Sequence, residues 1–96
     1  MNYQGLFTNA FKKDLKSIQR KHQLDLKKII DAIEDIILVD PYSADLKQLA
    51  CFNYYRYRVG DYRIVFDIEN ETDIIFLAVD MRFTIYNKLR NRMNKC

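Results

Sequence analysis

The stretch that decides the fold is residues 53–68, NYYRYRVGDYRIVFDI, in which apolar and basic side chains alternate on both sides of Gly60-Asp61. Alternation with a period of two is typical of β-strands that bury one face. Gly60-Asp61 has the length of a two-residue hairpin turn. The stretch therefore predicts two antiparallel strands that are joined by a tight turn.

The register of this hairpin determines which side chains share a face. With Gly60-Asp61 as the turn, Arg58 lies opposite Arg63, and alternation places Arg56 on the same face as both. The other face is apolar and carries Tyr55, Tyr57, Val59, Tyr62, Ile64, Phe66 and Ile68. Arginines directly opposite each other destabilise a strand pair, so this basic face needs an explanation.

Two explanations for the arginines follow from the sequence. In a structural explanation, the carboxylates of Asp61, Asp67 or Asp80 pair with them. In a functional explanation, an anion, most simply a phosphate, completes the site when a substrate binds. The local surplus of positive charge favours the functional explanation.

The next segment, DIIFLAVDM at residues 73–81, is almost continuously apolar and predicts a strand inside the sheet. Pairing Ile68 with Asp73 across a four-residue loop would place its even-numbered residues on the arginine face. Arg82 would lie on that face at the end of the strand. The odd-numbered residues would join the apolar face that packs on the helices, namely Ile75, Leu77, Val79 and Met81.

Helical patterns flank these strands. Residues 2–7 predict a short first strand, and Thr8 or Asn9 can cap a helix with apolar positions at helical spacing. A second amphipathic helix ends at Asp40-Pro41, because the residue before proline avoids the helical backbone. The basic segment RFTIYNKLRNRMNK predicts a terminal helix.

This order predicts one α+β domain over residues 1–96, with two N-terminal helices packed on one face of a mostly antiparallel sheet, plus a C-terminal helix. If the last helix begins near Arg82, Tyr86 lies at i+4 and shares its face. Taken alone, Tyr86 is equally consistent with a core aromatic residue.

Composition narrows the possible functions. Hydrophobic residues are 49% of the 96 and charged residues 30%, as in an ordinary globular domain. The N-terminal segment contains no apolar run long enough for a signal peptide or membrane span, so a cytoplasmic protein without a membrane partner is expected. A single histidine, His22, excludes a His-pair ribonuclease, a Ser-His-Asp triad and a His-based zinc site within one chain. Cys51 and Cys96 are expected to be free thiols.

The segment NYYRYRVGDYRIVFDI, followed by a hydrophobic strand and RFTIY, resembles the RelE/ParE superfamily of bacterial and archaeal toxins over nearly the whole chain. Both branches of the superfamily share the region around YRVGDYR. The Arg-x-x-x-Tyr of Arg82 and Tyr86 resembles the RelE branch, whose members cut messenger RNA, commonly in the ribosomal A site.

The resemblance implies a RelE-like fold and a toxin of a type II toxin-antitoxin system that cleaves mRNA without metal or other cofactor. The ribose 2′-hydroxyl would attack the adjacent phosphate and leave a 2′,3′-cyclic phosphate. In this interpretation Arg63 and Arg82 hold the phosphate, and Arg56 and Arg58 orient the RNA. Tyr86 either transfers a proton or stacks on a base.

The resemblance also implies partners and leaves alternatives. An acidic antitoxin would wrap the toxin, displace the C-terminal helix and disorder Tyr86, with a higher-order assembly possible; mRNA and the ribosome would be the target. Two departures are Ala50-Cys51 in place of a frequent Lys-Gly, and Asp80, which would partly neutralise Arg82. A ParE-like inhibitor of DNA gyrase and an inactive nucleic-acid-binding module are the competing interpretations.

Overall fold

A computed structural model describes residues 3–49 and 52–93. Its strands are β1 (Gln4–Phe7), β2 (Asp45–Leu49), β3 (Phe52–Val59), β4 (Tyr62–Glu69) and β5 (Asp73–Met81). Its helices are α1 (Asn9–Lys21), α2 (Gln23–Ala32) and α3 (Ile85–Arg92), with a π-helical turn at Ile33–Ile37 and a 3-10 turn at Pro41–Ser43. The expected free thiols of Cys51 and Cys96 lie outside the described residues.

The five strands form one sheet in the order β1-β5-β4-β3-β2. Only the β1–β5 pair is parallel, so the predicted mostly antiparallel sheet is confirmed. The first two helices pack on one face, where Phe11, Ile29 and Ile33 are buried against strand residues such as Phe66 and Phe76. The third helix packs on the other face. The predicted α+β class with a separate C-terminal helix is therefore confirmed.

Local chemistry explains where the first helices begin and end. The Thr8 hydroxyl accepts a hydrogen bond from the Phe11 N–H at 3.2 Å and donates one to the Phe76 carbonyl at 2.9 Å. Thr8 is thus the predicted N-cap and also ties the end of β1 to β5. The helical backbone that begins with α2 has ended before Asp40-Pro41, as the sequence predicts.

Strand β2 was not predicted. Its residues Asp45–Leu49 are mostly polar, and it is an edge strand whose side chains from Asp45 to Gln48 are exposed. It is held by antiparallel pairing with β3, and its side chains from Asp45 to Gln48 bury little apolar surface, so no alternation of buried and exposed side chains marks these positions in the sequence.

The hairpin between β3 and β4 has the predicted register. Arg58 pairs with Arg63 and Val59 with Tyr62, and the turn consists of Gly60 and Asp61. Gly60 has a φ of +57°, in the left-handed region that glycine adopts without steric cost.

Replacing Gly60 by alanine is expected to lower the free energy of unfolding by about 1–2 kcal/mol. An added Cβ would meet open space, with nothing within 4 Å, so the cost comes from the backbone alone. Urea unfolding of the two proteins measures it. Glu71→Gly is the matched control with the opposite sign, because Glu71 has a φ of +63° in the next turn. An unchanged midpoint for Gly60→Ala would contradict the prediction.

The predicted register of β5 is wrong by one residue at its start. Ile68 pairs with Ile74 rather than with Asp73, and a β-bulge interrupts the ladder, since Val65 pairs with Ala78 while Phe66 pairs with Phe76. The extra residue, Leu77, switches the face on which side chains lie.

Because of the bulge, part of the predicted assignment of side chains to the two faces of β5 is wrong. Before it, Ile74 and Phe76 are buried with α1 and α2, so the placement of Ile75 and Leu77 on that face is wrong. After it, Val79 and Met81 lie on the predicted face, and Ala78 and Asp80 lie on the arginine face. Both alternate sets before the bulge are apolar, so hydrophobicity could not decide between them.

Candidate active site

The arginine face is the face of β3, β4 and β5 that carries Arg56, Arg58 and Arg63 together with Asp80. Helix α3 packs on the apolar part of this face. Its residues Ile85 and Leu89 are buried in one cluster with Tyr54, Val65 and Ala78. The helix therefore brings Tyr86 against the strands that carry the arginines.

Arg56 is the most enclosed of the arginines, with 8% of its surface exposed. It lies directly across the strand pair from Asp45 and forms an ion pair with it at 3.5 Å. Its Nη1 donates a hydrogen bond to the Tyr86 hydroxyl. Arg56, which we expected to orient RNA, is thus held on Tyr86 and Asp45, with little surface of its own in solvent.

Arg58 and Arg63 differ from Arg56 in their surroundings. Arg58 is exposed, whereas Arg63 is half-buried and its Nη1 donates to the carbonyls of Gly60 and Tyr62, both at 2.9 Å. Neither guanidinium forms an ion pair within residues 3–49 and 52–93. The hairpin backbone thus orients Arg63 without neutralising its charge.

The positive charges of the other predicted arginines act on Arg63. Burial lowers the pKa of Arg63, and the positive charges of Arg58, Arg56 and Arg82 lower it further, while Tyr86 acts in the opposite direction. All the residues predicted for the site therefore act on one guanidinium.

The carboxylates that were considered as partners are engaged elsewhere. Asp67 accepts a hydrogen bond from the Ile68 N–H at 2.8 Å, and Asp80 forms an ion pair with Lys88 at 3.1 Å. Asp61 lies 3.9 Å from the Nε of Arg82, and both side chains are more than half exposed. An exposed pair at this distance contributes little. The structural explanation of the arginines therefore fails for Arg58 and Arg63.

The pKa of Asp80 is lowered despite its partial enclosure. Burial raises its pKa, but hydrogen bonds from the Met81 N–H, Lys88 and Thr84, together with the charge of Lys88, outweigh burial and leave the pKa below its usual value. Asp80 forms its ion pair with Lys88 on α3, whereas Arg82 pairs with Asp61. The expected pairing of Asp80 with Arg82 is therefore not observed.

Arg82 does not share a helical face with Tyr86, because α3 begins only at Ile85. It lies in the preceding turn, where its N–H donates to the Asp61 carbonyl at 2.7 Å and its guanidinium lies 4.5 Å from the centre of the Phe83 ring. The predicted shared helical face of Arg82 and Tyr86 is therefore wrong. Tyr86 instead accepts a hydrogen bond from Arg56. The positive charge of Arg82 lowers the pKa of Arg63.

Tyr54 is a member of this group that the sequence analysis did not single out. It is buried beneath α3. Burial raises the pKa of Tyr54, and the charge of Tyr86 and a hydrogen bond with Tyr86 raise it too. The positive charge of Arg56 lowers this pKa. Strand alternation offered a signal, since Tyr54 and Arg56 are two positions apart in β3. No such signal marked Asp45, whose strand was not predicted.

Within residues 3–49 and 52–93, no three His, Cys, Asp or Glu side chains are grouped as metal ligands. In the same ranges no helix is long and apolar enough to cross a membrane.

Known proteins are similar to this chain in sequence and in architecture. The family model described as "ParE toxin of type II toxin-antitoxin system, parDE" matches residues 6–86. Toxin RelE3 of Methanocaldococcus jannaschii is 36% identical over 83 residues, which cover 85% of this chain and 93% of the relative.

Solved structures agree with this match. A chain of the RelB-RelE antitoxin-toxin complex from Methanococcus jannaschii is 35% identical, with a TM-score of 0.55, and the match covers 85% of this chain and 95% of that chain. A chain of the RelBE2 toxin-antitoxin complex from Mycobacterium tuberculosis has a TM-score of 0.68 at 24% identity, covering 85% of this chain and 100% of that one, which bears on the fold alone. The predicted RelE-like fold is confirmed. The chain therefore belongs to the RelE/ParE superfamily, as a toxin of a type II toxin-antitoxin system.

Proposed function

We propose that this toxin is an endoribonuclease that cuts messenger RNA on the ribosome at the arginine face. The observation that carries the proposal is that Arg56, Arg58 and Arg63 share one face of the sheet, where Arg56 donates a hydrogen bond to Tyr86 and Arg82 is hydrogen-bonded to the hairpin turn. Arg58 and Arg63 form no ion pair in the described part of the chain, so their charge is available to an RNA phosphate.

The reaction follows from what these side chains offer. The RNA supplies the nucleophile: its 2′-oxygen bonds to the adjacent phosphorus, and the bond to the 5′-oxygen of the next nucleotide breaks. The products are a 2′,3′-cyclic phosphate and a 5′-hydroxyl. A proton leaves the 2′-oxygen and another reaches the 5′-oxygen, so the reaction consumes no co-reactant. What the protein must supply is orientation, charge stabilisation and proton transfer.

The residues divide these tasks according to their placement. Arg63, fixed by the hairpin carbonyls, and the exposed Arg82 would stabilise charge on the phosphate oxygens. Arg58, also exposed, would orient the RNA backbone. Arg56 would contribute positive charge and orient the Tyr86 hydroxyl through its hydrogen bond. Among the predicted residues, Tyr86 would transfer the proton, because arginine stays protonated in proteins.

Replacing Tyr86 by phenylalanine is expected to lower the cleavage rate by about a hundredfold or more and to change the slope of its pH–rate profile. The ring remains, so a residue that only stacks on a base would keep the profile. The measurement is single-turnover cleavage of mRNA on programmed ribosomes across a pH series. Tyr42→Phe is the control, because Tyr42 is exposed and far from α3 in sequence. An unchanged profile for Tyr86→Phe would remove Tyr86 as acid or base.

The partners of the relatives support an antitoxin partner here. Two of the matched structures are RelBE toxin-antitoxin complexes. We propose a cognate acidic antitoxin for this chain, mRNA and the ribosome as its target, action in the cytoplasm without a membrane partner, and a higher-order toxin-antitoxin assembly. Displacement of α3 by the antitoxin would separate Tyr86 from Arg56.

A second candidate function is inhibition of DNA gyrase without nuclease activity. The observation that favours it is the description of the matching family model, which names the ParE toxin. Against it stands the joint placement of Arg63 and Tyr86, which suits phosphate chemistry. The third interpretation, an inactive nucleic-acid-binding module, would show neither activity.

The nature of the cleaved ends tests the proposal. The purified toxin is added to ribosomes translating a defined mRNA, and the fragments are analysed. We expect 5′ ends that a kinase can label without prior phosphatase treatment, and 3′ ends that carry a cyclic phosphate. A parallel assay follows supercoiling by gyrase. Inhibited supercoiling without RNA fragments would replace the nuclease with the ParE-like function.

A further inference from the structure

A buried carboxylate on α1 connects three elements around the site. Asp14 is 4% exposed, and its two oxygens accept hydrogen bonds from α3 and β5. Arg92 donates to both oxygens, at 2.6 and 2.7 Å, Lys88 donates at 3.0 Å, and the Val79 N–H donates at 3.1 Å. A carboxylate with a bidentate arginine partner is a strong and geometrically specific contact.

These hydrogen bonds lie where β5 is no longer paired with β1. The ladder between β1 and β5 ends at the Phe7–Phe76 pair. Beyond it, Asp14 takes the Val79 N–H and Arg92 donates to the Leu77 carbonyl at 3.1 Å. Side chains from α1 and α3 thus satisfy backbone groups of β5 at and after the bulge, and α3 is tied to the strand edge.

Helix α3 needs such ties. It has only eight residues, and an isolated helix of this length is not stable in water. Its apolar contacts come from Ile85 and Leu89, while Lys88 and Arg92 supply the polar ones. Tyr86 lies within this helix, so its place beside Arg56 depends on both sets of contacts.

Lys88 has a second role because it lies between two carboxylates. Its Nζ is 3.0 Å from Asp14 and 3.1 Å from Asp80. Asp80 is the cross-strand partner of Arg63, on the same face of the sheet. Without Lys88, the carboxylate of Asp80 would be released toward its cross-strand neighbour Arg63, whose positive charge the proposed reaction requires.

We propose that Asp14 is a positioning residue of this site: it holds Lys88 and Arg92 so that α3 keeps Tyr86 on Arg56 and Asp80 is kept away from Arg63. This inference deepens the proposed function and rests on it for the cleavage step. RNA binding and helix order can be measured whether or not cleavage occurs.

The first test uses Lys88→Met, which removes the cation and keeps most of the apolar chain. The probe is a fluorescein-labelled single-stranded RNA with 2′-O-methyl riboses, which cannot be cleaved by the proposed reaction. We expect about tenfold weaker binding, because Asp80 then pairs with Arg63. Adding Asp80→Asn to Lys88→Met should restore the affinity. Lys27→Met, at an exposed position of α2, is the control.

The second test follows the order of α3 with the full chain. In Asp14→Asn and Arg92→Met, hydrogen exchange should accelerate more at the amides of Ile85–Arg92 than in β3 and β4, because α3 loses its ties locally. Cleavage should fall through kcat with KM unchanged, whereas Arg58→Ala should raise KM. Arg92→Lys should recover part of the protection.

The outcomes distinguish the positioning role of Asp14 from the proposed cleavage of RNA. Unchanged exchange in α3, or RNA affinity that Lys88→Met leaves intact, would overturn the positioning role of this network. Affinity that falls in Lys88→Met but is not restored by Asp80→Asn would overturn the part played by Asp80. Expected exchange and binding results, in a wild-type protein that cuts no RNA, would confirm the network and refute the proposed cleavage.

Discussion

Replacing Arg63 by alanine is expected to lower the rate of mRNA cleavage by about a hundredfold or more, the usual cost of removing one preorganised donor that stabilises developing charge. Arg63 is the guanidinium on which the fields of Arg56, Arg58 and Arg82 converge. The hairpin carbonyls of Gly60 and Tyr62 fix its direction before RNA arrives. The loss should therefore appear in the chemical step, measured by single-turnover cleavage on programmed ribosomes.

Two controls separate chemistry from folding in this experiment. Arg20→Ala removes an exposed arginine from α1, on the opposite side of the sheet, and should leave the rate unchanged. Thermal unfolding of Arg63→Ala shows whether the hairpin survives the loss of its two side-chain bonds. A folded Arg63→Ala protein that cleaves at the wild-type rate would remove Arg63 from the site.

Replacing Asp14 by alanine is expected to lower the free energy of unfolding by about 3–5 kcal/mol, the usual effect of removing one member of a buried ion pair. The substitution leaves Arg92 and Lys88 without the carboxylate that both contact. It also leaves the Val79 N–H without the acceptor it has in this structure. Urea unfolding followed by circular dichroism measures the loss, and a domain of this size has little stability to spare.

The matched control for this prediction is Asp31→Ala. Asp31 is an exposed aspartate of α2, and its replacement should change the free energy of unfolding by less than about 0.5 kcal/mol. A loss of less than about 1 kcal/mol for Asp14→Ala would contradict the prediction, because a buried ion pair should contribute more than that.

The hairpin between β3 and β4 is the part of the fold that the sequence predicts best. A strict alternation between Arg56 and Val65, around a turn that only a glycine fits easily, fixed the pairing of Arg58 with Arg63 and the existence of the arginine face. The N-cap at Thr8 and the stop before Pro41 depend on local chemistry, and both were predicted.

What could not be predicted depends on tertiary contacts. The bulge at Leu77 leaves no mark because its neighbours Ile74 to Phe76 are apolar on both faces. Asp45 lies in an edge strand that is formed by pairing, so the partner of Arg56 was missed. Asp14 did leave a signal, a carboxylate on the buried stripe of α1 between Phe11 and Ile18, but its ion-pair partners Lys88 and Arg92 are more than seventy residues away in the chain.

The measurement that tests the central claim most directly is primer extension on an mRNA that is being translated, with and without ribosomes, for the wild-type toxin and Arg63→Ala. We predict discrete cuts that require ribosomes and disappear in the variant. Absence of cuts with the wild-type protein, while it still arrests growth and blocks supercoiling by gyrase, would contradict the claim that the arginine face cleaves RNA.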